Sequence, residues 1–168
     1  MSHPDNNTDT QLSAHTCEEI DSWIKRYPEE HKKSALLAAL RAAQHQNNGY
    51  LTTELMQAVA DYLGLSKIEV YEVASFYSMY ELNPVARHNI AVCTNVSCML
   101  MGSDTIVDYL QKKLNIKLGE STADGRIYLK KEEECLAACG GGPMMQVNHK
   151  YYTDLTPEKV DEILDNLE

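Results

Sequence analysis

Four of the five cysteines fall in two short couples, Cys93 with Cys98 and Cys135 with Cys139, spaced C-x4-C and C-x3-C. Thirty-six residues separate the couples, and the second runs directly into Gly140, Gly141, Gly142 and Pro143. A fold that uses this pattern must bring two loops together from distant parts of the chain. Such couples suit one metal centre with four thiolate ligands. Met1 to Thr10 is polar and mixed, with neither the apolar segment of a secretory signal nor the Arg-rich character of a transit peptide. The expectation is therefore a cytosolic-type chain, in which thiols stay reduced and paired cysteines point to metal or redox chemistry rather than to disulfide staples. The fifth cysteine, Cys17, has no mate in the pattern.

The 168 residues suffice for one ordinary domain, or one domain with a helical extension. Hydrophobic residues at 43% and charged residues at 24% allow a sizeable core. A net charge of −10 and the lack of a basic patch argue against a nucleic-acid partner. No apolar run approaches the roughly 18 residues of a membrane span, so direct membrane insertion is not expected.

Periodicity divides the chain. Residues 1–15 read as a flexible leader rich in Ser, Asn, Asp and Thr. Thr16 and Glu19 fit a capping box for a helix carrying Ile20, Trp23, Ile24 and Tyr27, stopped by Pro28. A second helix is expected over 31–46, with Leu36, Leu37, Leu40 and Ala43 inward and a stop at Asn47, Asn48 and Gly49. Thr52 opens a third, closed by Gly64. Ser66 and Glu69 cap a fourth, with Ile68, Val70, Tyr71 and Val73 as its candidates for burial. Residues 16–83 thus read as a helical bundle, with a boundary at Asn83 and Pro84.

From 84 to 168 the pattern is mixed. Residues 89–93 read as a buried strand ending on Cys93, and a loop carries Cys98. A helix follows over 103–114, then strands near Ile116 and Leu118, over 126–130, and at Met145 and Val147. Asn148 and His149 turn the chain back through Tyr151 and Tyr152. Thr156, Pro157 and Glu158 start a last helix lined by Val160, Ile163, Leu164 and Leu167. The fold class is therefore α+β: a helical bundle followed by a small α/β sandwich of thioredoxin-like layout. Both cysteine couples leave strand ends.

A [2Fe–2S] centre takes four soft thiolates, one couple per iron. It also needs backbone N–H groups close to its sulfurs. Gly140, Gly141 and Gly142 suit that need, because glycine permits close approach and positive φ. A structural four-thiolate zinc site tolerates the same spacings, so spacing leaves both open. A redox dithiol would need C-x-x-C, which is absent. Cys17 reads as a plain helix residue, and His88 and His149 as turn histidines at strand ends. Tyr71, Phe76, Tyr77 and Tyr80 read as core and interface. Glu132, Glu133 and Glu134 read as a solvated acidic run whose charge would disfavour an added electron. No phosphate cradle or dinucleotide loop is present.

The four cysteines with their spacings, the run from Cys135 and Leu136 through Cys139 and Gly140 to Pro143, and the segment Tyr71 to Tyr80 resemble the 24-kilodalton subunits of respiratory complex I, the thioredoxin-like [2Fe–2S] subunits of NADH:quinone oxidoreductase. The resemblance covers nearly the whole chain after residue 15. It departs at Ala137, where family members commonly carry glycine, and an ordinary φ is expected for that alanine. The resemblance implies that Cys93, Cys98, Cys135 and Cys139 hold one [2Fe–2S] cluster. It implies a flavin- and NADH-binding partner subunit that carries FMN, with the N-terminal helices supplying docking surface. It implies a peripheral location on the cytoplasmic side of a bacterial inner membrane. A diaphorase subunit of an NAD-linked hydrogenase or formate dehydrogenase is the alternative host, and a zinc-stapled interaction module the alternative of another class.

Overall fold

A computed structural model describes residues 11–131 and 135–167. Most of the leader, residues 1–10, and the acidic run Glu132 to Glu134 lie outside the described residues. The chain divides into two compact units, Met1–Pro84 and Val85–Glu168.

The first unit is helical. Helix α1 covers Ala14–Ile24, α2 Leu36–Gln46, α3 Thr53–Leu63 and α4 Lys67–Phe76. Helix α1 starts earlier than its sequence signal. Ser13, not Thr16, is the cap, accepting the Thr16 N–H, while the Thr16 hydroxyl donates to Gln46 of α2 at 2.8 Å. The helix expected over 31–46 is split. A 3₁₀ segment, Glu29–Ala35, leads into α2 and is broken at His31, where φ is −111°. Thr52 caps α3, Gly64 ends it at φ 69°, and Ser66 with Glu69 forms the complete capping box of α4.

Ile20, Leu36, Leu40, Leu51, Val59 and Val70 anchor the bundle core. Two expectations about facing fail here. Leu37 points outward, and on α4 the inward residues are Val70 and Ala74, leaving Ile68 60% and Phe76 80% exposed. Tyr71 is exposed as well, while Tyr80 is buried and donates its hydroxyl to the Leu37 carbonyl at 2.7 Å.

The second unit is a five-stranded sheet with helices. Strand β1 covers His88–Val92, followed by α5 (Val96–Leu100), α6 (Ser103–Leu114), β2 (Glu120–Ser121) and β3 (Ile127–Leu129). A 3₁₀ turn, Cys139–Gly141, precedes β4 (Met145–Val147), β5 (Lys150–Tyr152) and α7 (Pro157–Asp165). The strand order is β2-β3-β1-β4-β5, with β1 parallel to β3 and the other pairs antiparallel. Ile116 and Leu118 form no strand; they pack, partly buried, on the core, and the strand lies just beyond them at β2. Ile90, Val92, Leu110, Ile127, Leu129, Val160 and Leu164 build the core between sheet and helices. Central β1 is buried at three successive residues, Ile90, Ala91 and Val92, so both its faces are covered.

Candidate metal centre

The register of β1 and β4 fixes the site. Val92 pairs with Met145, so the residues just beyond these two, Cys93 and Met144, face each other across the end of the ladder. The Cys93 N–H donates to the Met144 carbonyl at 3.1 Å, which continues the pairing by one step. Cys93, Cys98, Leu136 and Met144 then form a small apolar cluster of their own, separate from the sheet core. Helix α5, where the sequence suggested only a loop, turns the chain so that Cys98 faces inward and is 0% exposed.

The second couple is held differently. Cys135 and Cys139 are exposed, with their sulfurs 3.7 Å apart. Their loop is tied down at its far end: the Asp154 N–H donates to the Gly141 carbonyl at 2.7 Å and the Leu155 N–H to the Pro143 carbonyl at 2.9 Å. The Ala137 N–H donates to Cys135 Sγ at 3.4 Å. The four thiols thus form one inner and one outer pair. Among the described residues, no three His, Cys, Asp or Glu side chains converge tightly enough to hold a single ion.

The sulfurs act on one another. Burial pushes the Cys93 thiol up, but N–H groups of Leu136 and Asn95 and the neighbouring Cys98 and Cys135 thiols outweigh it, and its pKa is lowered overall. Cys98 is pushed up to about 11, first by burial and then by Cys93; the Met144 N–H acts against this. Cys139 is raised by its hydrogen bond to Cys135 and the charge there. Cys93 is therefore the sulfur that the backbone prepares as a thiolate, the form that binds metal.

The donor set suits a [2Fe–2S] centre. It consists only of soft sulfur, arranged in pairs and served by backbone N–H groups. Gly142 is part of the fit, because a Cβ there would stand 3.3 Å from Cys98 Sγ. The three glycines after Cys139 do not adopt positive φ; the left-handed residue of this loop is Ala137, at φ 59°. That corrects the ordinary φ expected for this alanine. The left-handed φ lies downstream of that N–H and redirects the chain between Cys135 and Cys139.

The other candidates stay outside this group. His88 begins β1, at the opposite end of the strand from Cys93, where its ring Nδ1 lies 3.3 Å from Asn148 Nδ2. His149 sits in the exposed turn between β4 and β5. Cys17 is on α1, half-buried, beside the Tyr62 hydroxyl. Sequence reasoning missed Met144, which packs against the buried couple, and Met101, whose side-chain end shares the space at Gly142 with Cys98 Sγ; the only signal was their position within three residues of Cys98 and one of Pro143.

The chain is similar to known proteins over most of its length. The chain is 46% identical over 144 residues to an NADH-quinone oxidoreductase subunit from Rickettsia bellii (strain RML369-C), covering 86% of each chain. It is 37% identical over 148 residues to "NADH dehydrogenase [ubiquinone] flavoprotein 2, mitochondrial" of Dictyostelium discoideum, covering 88% of this chain and 60% of that one. Its fold matches a chain of an NAD+-reducing [NiFe]-hydrogenase in the air-oxidized state at a TM-score of 0.65 and 24% identity, over 79% of this chain and 22% of that one. The sequence profile of the thioredoxin-like [2Fe–2S] ferredoxins matches residues 20–168, and the chain belongs to that family.

Proposed function

We infer that this chain is the electron-carrying subunit of an NADH:quinone oxidoreductase, with Cys93, Cys98, Cys135 and Cys139 as the ligands of its single [2Fe–2S] cluster. One observation carries the ligand assignment: two sulfur pairs, one buried and one exposed, meet beyond the end of β1 and interact across the pairs. A two-iron centre asks for two such pairs.

When bound, the cluster takes up and returns a single electron. The chain's own residues set the terms. Cys93 and Cys98, packed with Leu136 and Met144, would supply the buried pair of thiolates. The N–H groups of Leu136, Asn95 and Met144 point at these sulfurs and offset their negative charge. Cys135 and Cys139, both exposed, would supply the outer pair, on the side a partner can approach.

The electron's source is expected on a flavin- and NADH-binding partner subunit that carries FMN, because this chain has no dinucleotide loop. Two exposed apolar faces suit docking. One is Ile68, Tyr71 and Phe76 on α4; the other is Val96, Met99 and Leu100 on α5, beside Cys98. Among the described residues no helix is long and apolar enough to cross a membrane. A peripheral place on the cytoplasmic side of a bacterial inner membrane fits this role. The leader expected over 1–15 is cut short by α1, which is capped by Ser13 and begins at Ala14; we assign the helices from α1 to residue 83 as a docking bundle and 84–168 as the cluster domain.

The second reading places an equivalent subunit in an NAD-linked hydrogenase or formate dehydrogenase, which the fold shared with the hydrogenase chain favours. Purification of the native complex through a tag on this chain separates the two. Recovery of an FMN-containing subunit with NADH:quinone reductase activity supports the first reading. Recovery of a hydrogenase or formate dehydrogenase supports the second.

A further inference from the structure

Gly142 and Met101 share one place. A Cβ built on Gly142 would stand 2.2 Å from Met101 Cε, 3.2 Å from Met101 Sδ and 3.3 Å from Cys98 Sγ. The end of the Met101 side chain therefore lies on the Gly142 α-carbon, in the space next to the Cys98 sulfur. The backbone of Gly142 does not require glycine: its φ of −76° and ψ of 156° are open to any residue. What excludes a side chain there is Met101, with the sulfur behind it.

Met101 itself is pinned at the C-terminal end of α5. Its N–H donates into the last turn, to the carbonyls of Ser97 at 3.3 Å and Cys98 at 3.1 Å. The residue is 42% exposed, yet Cys98, three positions earlier, is 0% exposed. A flexible thioether at a helix end fills an irregular gap well. Here the gap is the one between α5 and the Gly142 backbone, through which water would otherwise meet Cys98.

We propose that Met101 is a positioning residue that closes an apolar lid over Cys98, keeping water from the buried half of the cluster and thereby holding its reduction potential down. The inference rests on the ligand assignment above. Reduction adds one negative charge to the cluster. Water near a ligand sulfur stabilises that charge, so opening the lid raises the potential. It also gives a chelator or oxygen a path to the iron.

The test uses the full chain, loaded with its cluster, in wild-type, Met101→Ala, Met101→Leu and Gly142→Ala forms. The readouts are the midpoint potential, from a redox titration followed by EPR, and the rate of absorbance loss with an iron chelator. Met101→Ala should shift the potential upward and bleach several-fold faster. Met101→Leu, apolar and of similar volume, should match wild type. Gly142→Ala should push the thioether aside and act in the same direction as Met101→Ala. Combined with Met101→Ala it should add less than its effect alone, because the side chain it displaces is gone. Should Met101→Ala fail to accumulate, Met101→Gln, of equal length but polar, serves with the same readouts.

Equal potential and bleaching in Met101→Ala and wild type would overturn the lid. So would a Met101→Leu protein as labile as Met101→Ala, or full additivity of Gly142→Ala with Met101→Ala. A wild-type chain without iron and sulfide would instead overturn the ligand assignment.

Discussion

Ala137 stands at φ 59°, and its N–H donates to Cys135 Sγ, two residues earlier, at 3.4 Å. The left-handed φ redirects the chain just after that donor, between the two exposed sulfurs. An L-residue in this region costs roughly 1–2 kcal/mol. Glycine removes that cost, but its freer unfolded state offsets about 0.4–1 kcal/mol of the gain. Ala137→Gly should therefore stabilise the second unit by about 0.5–1 kcal/mol in denaturant unfolding and leave the iron content unchanged. Ala137→Val, β-branched, should destabilise it. A loss of stability in Ala137→Gly would contradict the strain.

The ligand assignment separates Cys17 from the other four cysteines. Cys93→Ser and Cys139→Ser should each lower the iron and sulfide content or alter the EPR signal of the reduced protein. Cys17→Ser should do neither, since Cys17 lies on α1 in the first unit, while the other four belong to the second. Dependence of iron content on Cys17 would show that a ligand has been misassigned.

Glu69 gives the bundle a pH dependence with a definite sign. The Lys33 ammonium and the Ser66 side chain and N–H hold its carboxyl down at about 2, from an ordinary 4.5. Its folded value lies below its unfolded one. Its stabilising contribution is therefore complete above pH 4.5 and is lost as the pH falls toward 2. The pair is exposed, so solvent screens the effect. Glu69→Gln should melt below wild type near neutral pH, and the gap should close on acidification. A gap that stays constant from about pH 7 to about pH 3 would remove Lys33 as the cause.

The apolar residues that point outward on α4 make a prediction about partners. Phe76→Ser changes a residue 80% exposed, so the chain's own stability should move by no more than about 0.5 kcal/mol. Recovery of the proposed flavin-binding partner with the tagged chain should fall. Leu100→Ser, at 79% exposure on α5, should behave in the same way. Unchanged recovery in both variants would mean that the partner docks elsewhere.

Local signals were legible in the sequence; signals set by tertiary packing were not. The caps at Thr52, Ser66 and Thr156 depend on residues within one turn, and each forms as its spacing implies. Thr16 also has the chemistry of a cap, but its hydroxyl is committed to Gln46 of a different helix, which moves the start back to Ser13. On α4, Ile68 and Tyr71 are as apolar as Val70. Only packing against α2 and α3 reveals which face the bundle needs and which is left for a partner. The two cysteine couples were visible from their spacing. Their division into a buried and an exposed pair was not, because it depends on α5 forming after β1 and on Met144 packing with Cys98.

That these four sulfurs hold a two-iron cluster is tested most directly by iron, acid-labile sulfide and zinc analysis of the chain purified without oxygen, together with EPR of the dithionite-reduced protein. The expected result is a reddish-brown protein with about two irons and two sulfides per chain and a reduced [2Fe–2S] signal. A colourless, folded protein with stoichiometric zinc and no sulfide would contradict it.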